Sequence, residues 1–169
     1  MAQVIAKLGD DVSTDVIYPG RYMATVLPAE TPQFAFADNL GFNALCQSGT
    51  LPPGRVIVAG KNFGCGSSRE QACSALKGHG LVVVADGFAR IFLQNAVNVG
   101  LQVVSAPGVE AAEGDSLELR ADAVVNLRTG HRYPVAPLPP ARQAIVDAGG
   151  LIPYTRERLE AARVQGERT

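Results

Sequence analysis

The chain has 169 residues, 47% of them apolar, and its fifteen Lys and Arg nearly balance sixteen Asp and Glu to a formal net charge of −1. That length suits one domain with a substantial core, and the even charge excludes a general basic field for nucleic acid or an anionic membrane. No apolar run approaches the roughly 20 residues of a membrane span, acids interrupt the N-terminus where a signal peptide would stay apolar, and the absence of Trp argues against a base-stacking surface.

Residues 2–8, "AQVIAKL", alternate as a first strand, and "GDDVSTD" after them is turn chemistry. Residues 16–53 are punctuated by Pro19, Pro28, Pro32 and Pro52, which predicts an irregular connection with one short helix near Phe34–Leu45. The β-branched run "RVIVAG", residues 55–60, reads as a strand feeding a Gly-rich loop, and Ala72, Cys73, Ala75 and Leu76 then recur at helical spacing over 68–79. "LVVVAD", residues 81–86, is a continuous apolar strand of the kind buried on both faces of a parallel sheet. Strand, loop, helix, strand makes a βαβ unit.

"GFARIFLQNAVNVGL", residues 87–101, predicts a second helix stopped at Gly100, and "LQVVSAP" resumes strand character. From about residue 108 the pattern turns to short alternating stretches, with "RTG" as a hairpin turn, which predicts an antiparallel, barrel-like half. A last helix is expected to end near Ala148 at a double glycine, with a charged tail, residues 161–169, frayed beyond it. The fold class so read is α/β, a β/β/α arrangement over residues 1–160 with a mixed, partly barrel-like sheet and flanking helices.

The densest chemistry lies in "GKNFGCGSSREQACSAL", residues 60–76. Gly60, Gly64 and Gly66 permit positive φ and close backbone approach to a ligand, while Ser67, Ser68 and Arg69 stand where a helix start directs its free N–H groups. A guanidinium there suits a carboxylate or phosphate held bidentately. The stretch is neither GxxxxGK[ST] nor GxGxxG, so nucleotides are disfavoured. The plainer reading is a capping box, with Ser67 as N-cap and Glu70 three residues on, yet a capping box has no need of Arg69.

Cys46, Cys65 and Cys73 are odd in number and fit no CxxC spacing, so free thiols in a reducing, cytoplasmic compartment are expected, and no metal site is assigned to this chain. Cys65 reads as a small packed loop residue whose place beside a cation leaves oxidation sensitivity open. His79, in "KGHGL", and His131, beside the hairpin turn, read as solvated loop histidines rather than bases.

The runs "GKNFGCGSSREQA" and "FARIFLQNAVNVGL", with "GDDVSTDVIYPGRYM" before them and "AGGLIPYTRERL" after, resemble in the same order the small subunits of 3-isopropylmalate dehydratases, the swivel domain of the aconitase superfamily. The resemblance runs from Gly9 to Leu159. It implies a lyase half-site: a larger partner chain, in a heterodimer or heterotetramer, carries a [4Fe–4S] cluster, and this chain supplies the other wall. It implies Ser67 as the catalytic base acting as alkoxide on the carbon α to a carboxylate, and Ser68, Arg69, Asp15 and its neighbour Thr14 as substrate-binding residues of the same cleft.

The chain departs from that family at Gln71, where a histidine is usual, and at Lys61, where an acid is usual; neither position is assigned a role. By the same resemblance the loop after "RY" selects the substrate, here Tyr22, Met23, Ala24 and Thr25. These residues carry no cation, so an isopropyl group is accommodated better than a second carboxylate. The implied reaction is interconversion of 2-isopropylmalate and 3-isopropylmalate through isopropylmaleate, in leucine biosynthesis. Open beside it stand citraconate, methylcitrate, dimethylmalate or homocitrate as substrates, and a stand-alone module that binds small carboxylates without catalysis.

Overall fold

The protein is described here by a computed structural model covering residues 1–166. Seven strands form one mixed sheet: β1 (Ala2–Lys7), β2 (Arg55–Ala59), β3 (Val82–Ala85), β4 (Val103–Ser105), β5 (Ser116–Leu119), β6 (Ala123–Asn126) and β7 (Arg132–Pro134). Their order is β4-β3-β2-β1-β5-β6-β7. The β1–β4 half is parallel, and β5, β6 and β7 add to β1 antiparallel.

The sheet curls until its two edges meet. Past β7, the Ala136 N–H donates to the Ser105 carbonyl of β4 at 2.8 Å, an antiparallel bridge between the terminal strands. Strand alternation then gives two cores. Val4, Val56, Val58, Val84, Leu117 and Val124 point into the curl, whereas Ile57, Ala59, Val83 and Ala85 point outward under the helices. A bulge in β1 between Val4 and Ala6 transfers Ala6 to the helix-covered side.

The crossover helices α3 (Glu70–Gly78) and α4 (Arg90–Val99) cover that outer face through Ala72, Cys73, Ala75, Leu76, Phe92 and Ala96, all 0–2% exposed. Parallel strands require such crossovers, and a right-handed twist keeps consecutive ones on the same side. Two short elements precede them, α1 (Thr14–Ile17) and α2 (Leu40–Gln47).

Three expectations are corrected. The helix placed near Phe34–Leu45 is two pieces, a 3₁₀ turn Thr31–Phe34 and α2. Between them Phe36 takes a left-handed φ of 50°, buried against Phe42, and Asn39 caps α2 by accepting the Phe42 N–H at 3.1 Å. The frayed tail is instead helical: after α5 (Pro140–Asp147) and the Gly149–Gly150 break, α6 runs Leu151–Gly166. It is mostly polar around its circumference, so no apolar stripe announced it, and pairs such as Arg158 to Tyr154 Oη support it. Residues 167–169 of the expected tail lie outside the described residues. Third, His79 is half-buried at the end of α3 with Nε2 2.7 Å from the Pro32 carbonyl, a bonded histidine rather than a solvated one. His131 is exposed, as expected.

The antiparallel half is tied by Asp115, only 5% exposed, whose carboxylate accepts from the Ala112 N–H, Asn126 Nδ2 and Arg128 Nε and Nη2. Arg128 foremost, then the Ala112 and Asn126 donors, hold this carboxyl well below the usual carboxylate range. Its stabilisation is therefore present above that range and is lost as pH falls through the depressed value. Asp115→Asn is expected to lower the urea midpoint at neutral pH, with the gap from wild type narrowing once pH drops below the ordinary carboxylate value. Parallel urea titrations at neutral and acid pH check this.

Candidate active site

The loops leaving the C-terminal ends of β1 and β2 lie side by side because those strands are adjacent and parallel, the position where open α/β sheets present ligand sites. They are sewn together by backbone. Gly64 N–H donates to Val12 O at 2.7 Å, Thr14 N–H to Cys65 O at 2.9 Å and Asp11 N–H to Lys61 O at 2.9 Å. Asp11 and Asn62 both sit at positive φ, 53° and 56°, and their side chains bond at 2.7 Å. The third loop joins through Phe63, whose N–H reaches Gly87 O and whose carbonyl takes the Ala89 N–H.

This stitching explains why the expected capping box does not form. Helix α3 begins at Glu70 with Arg69 in the cap position and no side-chain cap. Ser67 and Ser68 stay in the loop because the carbonyls of Cys65 and Ser67 are taken by the backbone N–H and the hydroxyl of Thr14, the latter at 2.8 Å. Thr14 is buried, and its N–H and hydroxyl clamp the loop. Ser67 is exposed, and its hydroxyl has no hydrogen-bond partner among the described residues. Ser68 is exposed too, with its Oγ accepting from Asn95 Nδ2 of α4 at 3.2 Å.

Arg69 is the site's cation, with a side chain only 13% exposed. Its Nη1 is shared between the Asp15 carboxylate, as an ion pair, and the Tyr18 carbonyl at 3.0 Å. Asp15 itself is exposed. The pair thus anchors one edge of the guanidinium while Nη2 lies toward Gly20, where a Cβ would come within 3.3 Å of it. A planar guanidinium held along one edge presents its remaining donors in a fixed direction, which suits capture of a carboxylate.

The loop carrying Tyr22, Met23, Ala24 and Thr25 packs beside this arginine. Tyr22 stacks on Phe34 at 4.1 Å between centroids, Met23 packs on the outer core, and Gln71 Nε2 donates to the Met23 carbonyl at 3.4 Å. Gln71, unassigned from sequence, therefore ties loop to helix. Arg21 is paired with Asp38 and lies 4.6 Å over the Tyr22 ring. Tyr18, whose hydroxyl donates to Tyr22 O, is fully buried, and that burial pushes its phenol above the ordinary value.

Sequence reasoning missed Asn95 and the Tyr18 carbonyl as neighbours of Ser68 and Arg69. Asn95 stands inside the quoted "FLQNAVN" run, but only the packing of α4 brings it to the loop.

Among the described residues no three His, Cys, Asp or Glu side chains gather. Cys46 is buried with its thiol pushed up to about 11, burial pushes the Cys73 thiol up further, and half-buried Cys65 donates to Asp11 O. No helix among the described residues is long and apolar enough to cross a membrane.

A family model for the aconitase C-terminal domain matches residues 51–107, which span β2, the Gly-rich loop, α3, β3, α4 and β4. The 3-isopropylmalate dehydratase small subunit of Moorella thermoacetica is 42% identical over 91% of this chain and 93% of its own length. The chain belongs to the 3-isopropylmalate dehydratase small-subunit family. Within it the isopropylmalate/citramalate isomerase small subunit of Methanocaldococcus jannaschii is also 42% identical, and the homoaconitase small subunit of Methanothermobacter thermautotrophicus 41%. The crystal structure of a 3-isopropylmalate dehydratase from M. jannaschii superposes with a TM-score of 0.83 at 37% identity, covering 99% of this chain and 98% of that one. The partly closed mixed sheet is thus this family's fold.

Proposed function

We propose that this chain is the small subunit of a two-chain hydro-lyase that interconverts 2-isopropylmalate and 3-isopropylmalate through isopropylmaleate in leucine biosynthesis. Relatives named for isopropylmalate, citramalate and homoaconitate chemistry are almost equally identical, so overall similarity does not choose among substrates. One observation supports isopropylmalate: Arg21, the one cation among residues 21–30, is engaged with Asp38 and Tyr22, which leaves Met23, Ala24 and Thr25 as an uncharged loop. A distal carboxylate would lie there unpaired, whereas an isopropyl group would not.

In this reading Ser67 removes the proton from the carbon α to a carboxylate and returns a proton during rehydration. Its exposure lets a substrate reach it, and the neighbouring Arg69 and the start of α3 stabilise the alkoxide it must become. Arg69 and Ser68 hold a substrate carboxylate, Asp15 orients Arg69, and Thr14 fixes the loop. A [4Fe–4S] cluster, for which the described residues offer no ligand set, is assigned to the large subunit, where its open iron would act as Lewis acid on the substrate hydroxyl. The partner is that large subunit, in a heterodimer or heterotetramer, and the cytoplasm, reducing enough to keep three free thiols, is the proposed compartment.

Anaerobic reconstitution with a cluster-bearing large subunit, following absorbance of the unsaturated intermediate from 3-isopropylmalate, citramalate, homocitrate and citrate, tests the whole. Preferred turnover of isopropylmalate supports it; preference for another acid overturns the loop argument, and carboxylate binding by this chain alone without turnover overturns the half-site. In the active complex Arg69→Lys is expected to raise KM about tenfold or more with a smaller change in kcat, since an ammonium cannot reproduce the fork or hold Asp15 and the Tyr18 carbonyl together.

A further inference from the structure

We propose that Asn95 is a positioning residue of this site: its carboxamide fixes the Ser68 hydroxyl as a hydrogen-bond donor toward the substrate carboxylate. The inference rests on the assignment of Ser68 to substrate binding made above. A serine hydroxyl carries one O–H and two lone pairs and rotates to suit its neighbours. With Asn95 Nδ2 donating to Ser68 Oγ at 3.2 Å, one lone pair is occupied by a donor, and the O–H is left to point elsewhere. Facing a carboxylate, which only accepts, that polarity is the productive one.

The amide is delivered there by packing. Asn95 lies one turn beyond Phe92 on α4, and Phe92 is 2% exposed, seated against the Gly-rich loop at Gly64, where a Cβ would fall 2.1 Å from its Cγ. Cys73 Sγ of α3 reaches the Phe92 carbonyl at 3.7 Å, which ties the two helices at the same level. The Ser67–Ser68 segment is therefore held from two sides, its backbone by Thr14 and its second hydroxyl by Asn95. The donor comes from a rigid helix, which costs less ordering at the moment of binding than a solvent-held hydroxyl would.

The test uses the assembled two-chain enzyme with 3-isopropylmalate. Asn95→Ala is expected to raise KM roughly 3- to 10-fold with kcat nearly unchanged, the range of one lost hydrogen bond. Asn95→Asp should raise it more, because a carboxylate there accepts the Ser68 proton and repels the substrate, and that excess should shrink as pH falls and the new side chain protonates. Asn95→Gln, which keeps the carboxamide donor on a side chain one methylene longer, should recover part of the loss and stands in if the alanine variant assembles poorly.

In a Ser68→Ala background, Asn95→Ala should add nothing, because its effect passes through that hydroxyl. An equal effect of Asn95→Ala with and without Ser68 would show a merely structural role and overturn the proposal. So would an unchanged KM in Asn95→Ala beside a raised KM in Ser68→Ala, a result that leaves the site reading standing. An unchanged KM in Ser68→Ala itself would instead remove the substrate-binding assignment, and the role of Asn95 with it.

Discussion

Ser67→Ala, reconstituted with the large subunit, is expected to lower kcat by roughly 10²- to 10⁴-fold, the usual contribution of a positioned proton-transfer group. KM and assembly should change little. Ser67 is exposed and its side chain bonds to nothing among the described residues, so truncation removes one oxygen without disturbing the loop. What holds the loop is the Ser67 carbonyl, bonded by Thr14, and that is untouched. No histidine can substitute: His79 sits at the far end of α3, bonded to Pro32, and His131 lies on the antiparallel half. The measurement is single-turnover formation of the unsaturated intermediate, with solvent-deuterium exchange into substrate as a second readout of proton removal. Exchange at the wild-type rate in Ser67→Ala would sink the base assignment.

Gly64→Ala should be the most destabilising small change in the loop. Gly64 has φ 79°, where an L side chain costs on the order of 1–2 kcal/mol, and its Cβ would land within 2.1–2.4 Å of three Phe92 atoms. Overpacking a buried aromatic typically adds 1–3 kcal/mol. Together about 2–5 kcal/mol is expected, a fall in Tm of roughly 4–20 °C for a chain of this size. Gly66→Ala is the control. It shares the left-handed backbone, φ 85°, but its Cβ would meet nothing closer than 3.8 Å, so only the backbone cost of about 1–2 kcal/mol applies. Circular-dichroism melts of the two variants separate the terms, and equal losses would remove Phe92 packing from the account.

Much of this architecture was written in local pattern. Residues 56–59 and 82–85 are strand because uncharged, mostly β-branched residues fit a sheet buried on both faces, and Gly100, at φ 77°, ends α4 where the sequence placed the stop. Local pattern failed where polar contacts or exposure decide. The "SSRE" run satisfies the grammar of a capping box, but Thr14, more than fifty residues earlier, claims the Ser67 carbonyl and delays the helix to Glu70. Helix α6 has no apolar face to betray it. Nothing local sets the direction of Arg21, which is held by Asp38, 17 residues on, and by the Tyr22 ring.

By itself, then, the sequence determined the order of the parallel strands and their crossover helices, the mixed βαβ and antiparallel halves, the motif that carries Ser67, Ser68 and Arg69, and the family. The elements and the sheet halves are properties of residue type and spacing along the chain, which periodicity and turn chemistry report directly, whereas the family is carried by the likeness of whole motifs. Only the tertiary structure decided that Asp15 and the Tyr18 carbonyl share one edge of Arg69, that Thr14 is a clamp, and that Asn95 meets Ser68. Those pairings join residues 27 to 54 positions apart across adjacent parallel strands and packed helices. Their partners are set by sheet register and by the fit of Phe92 over Gly64, to which no local signal refers.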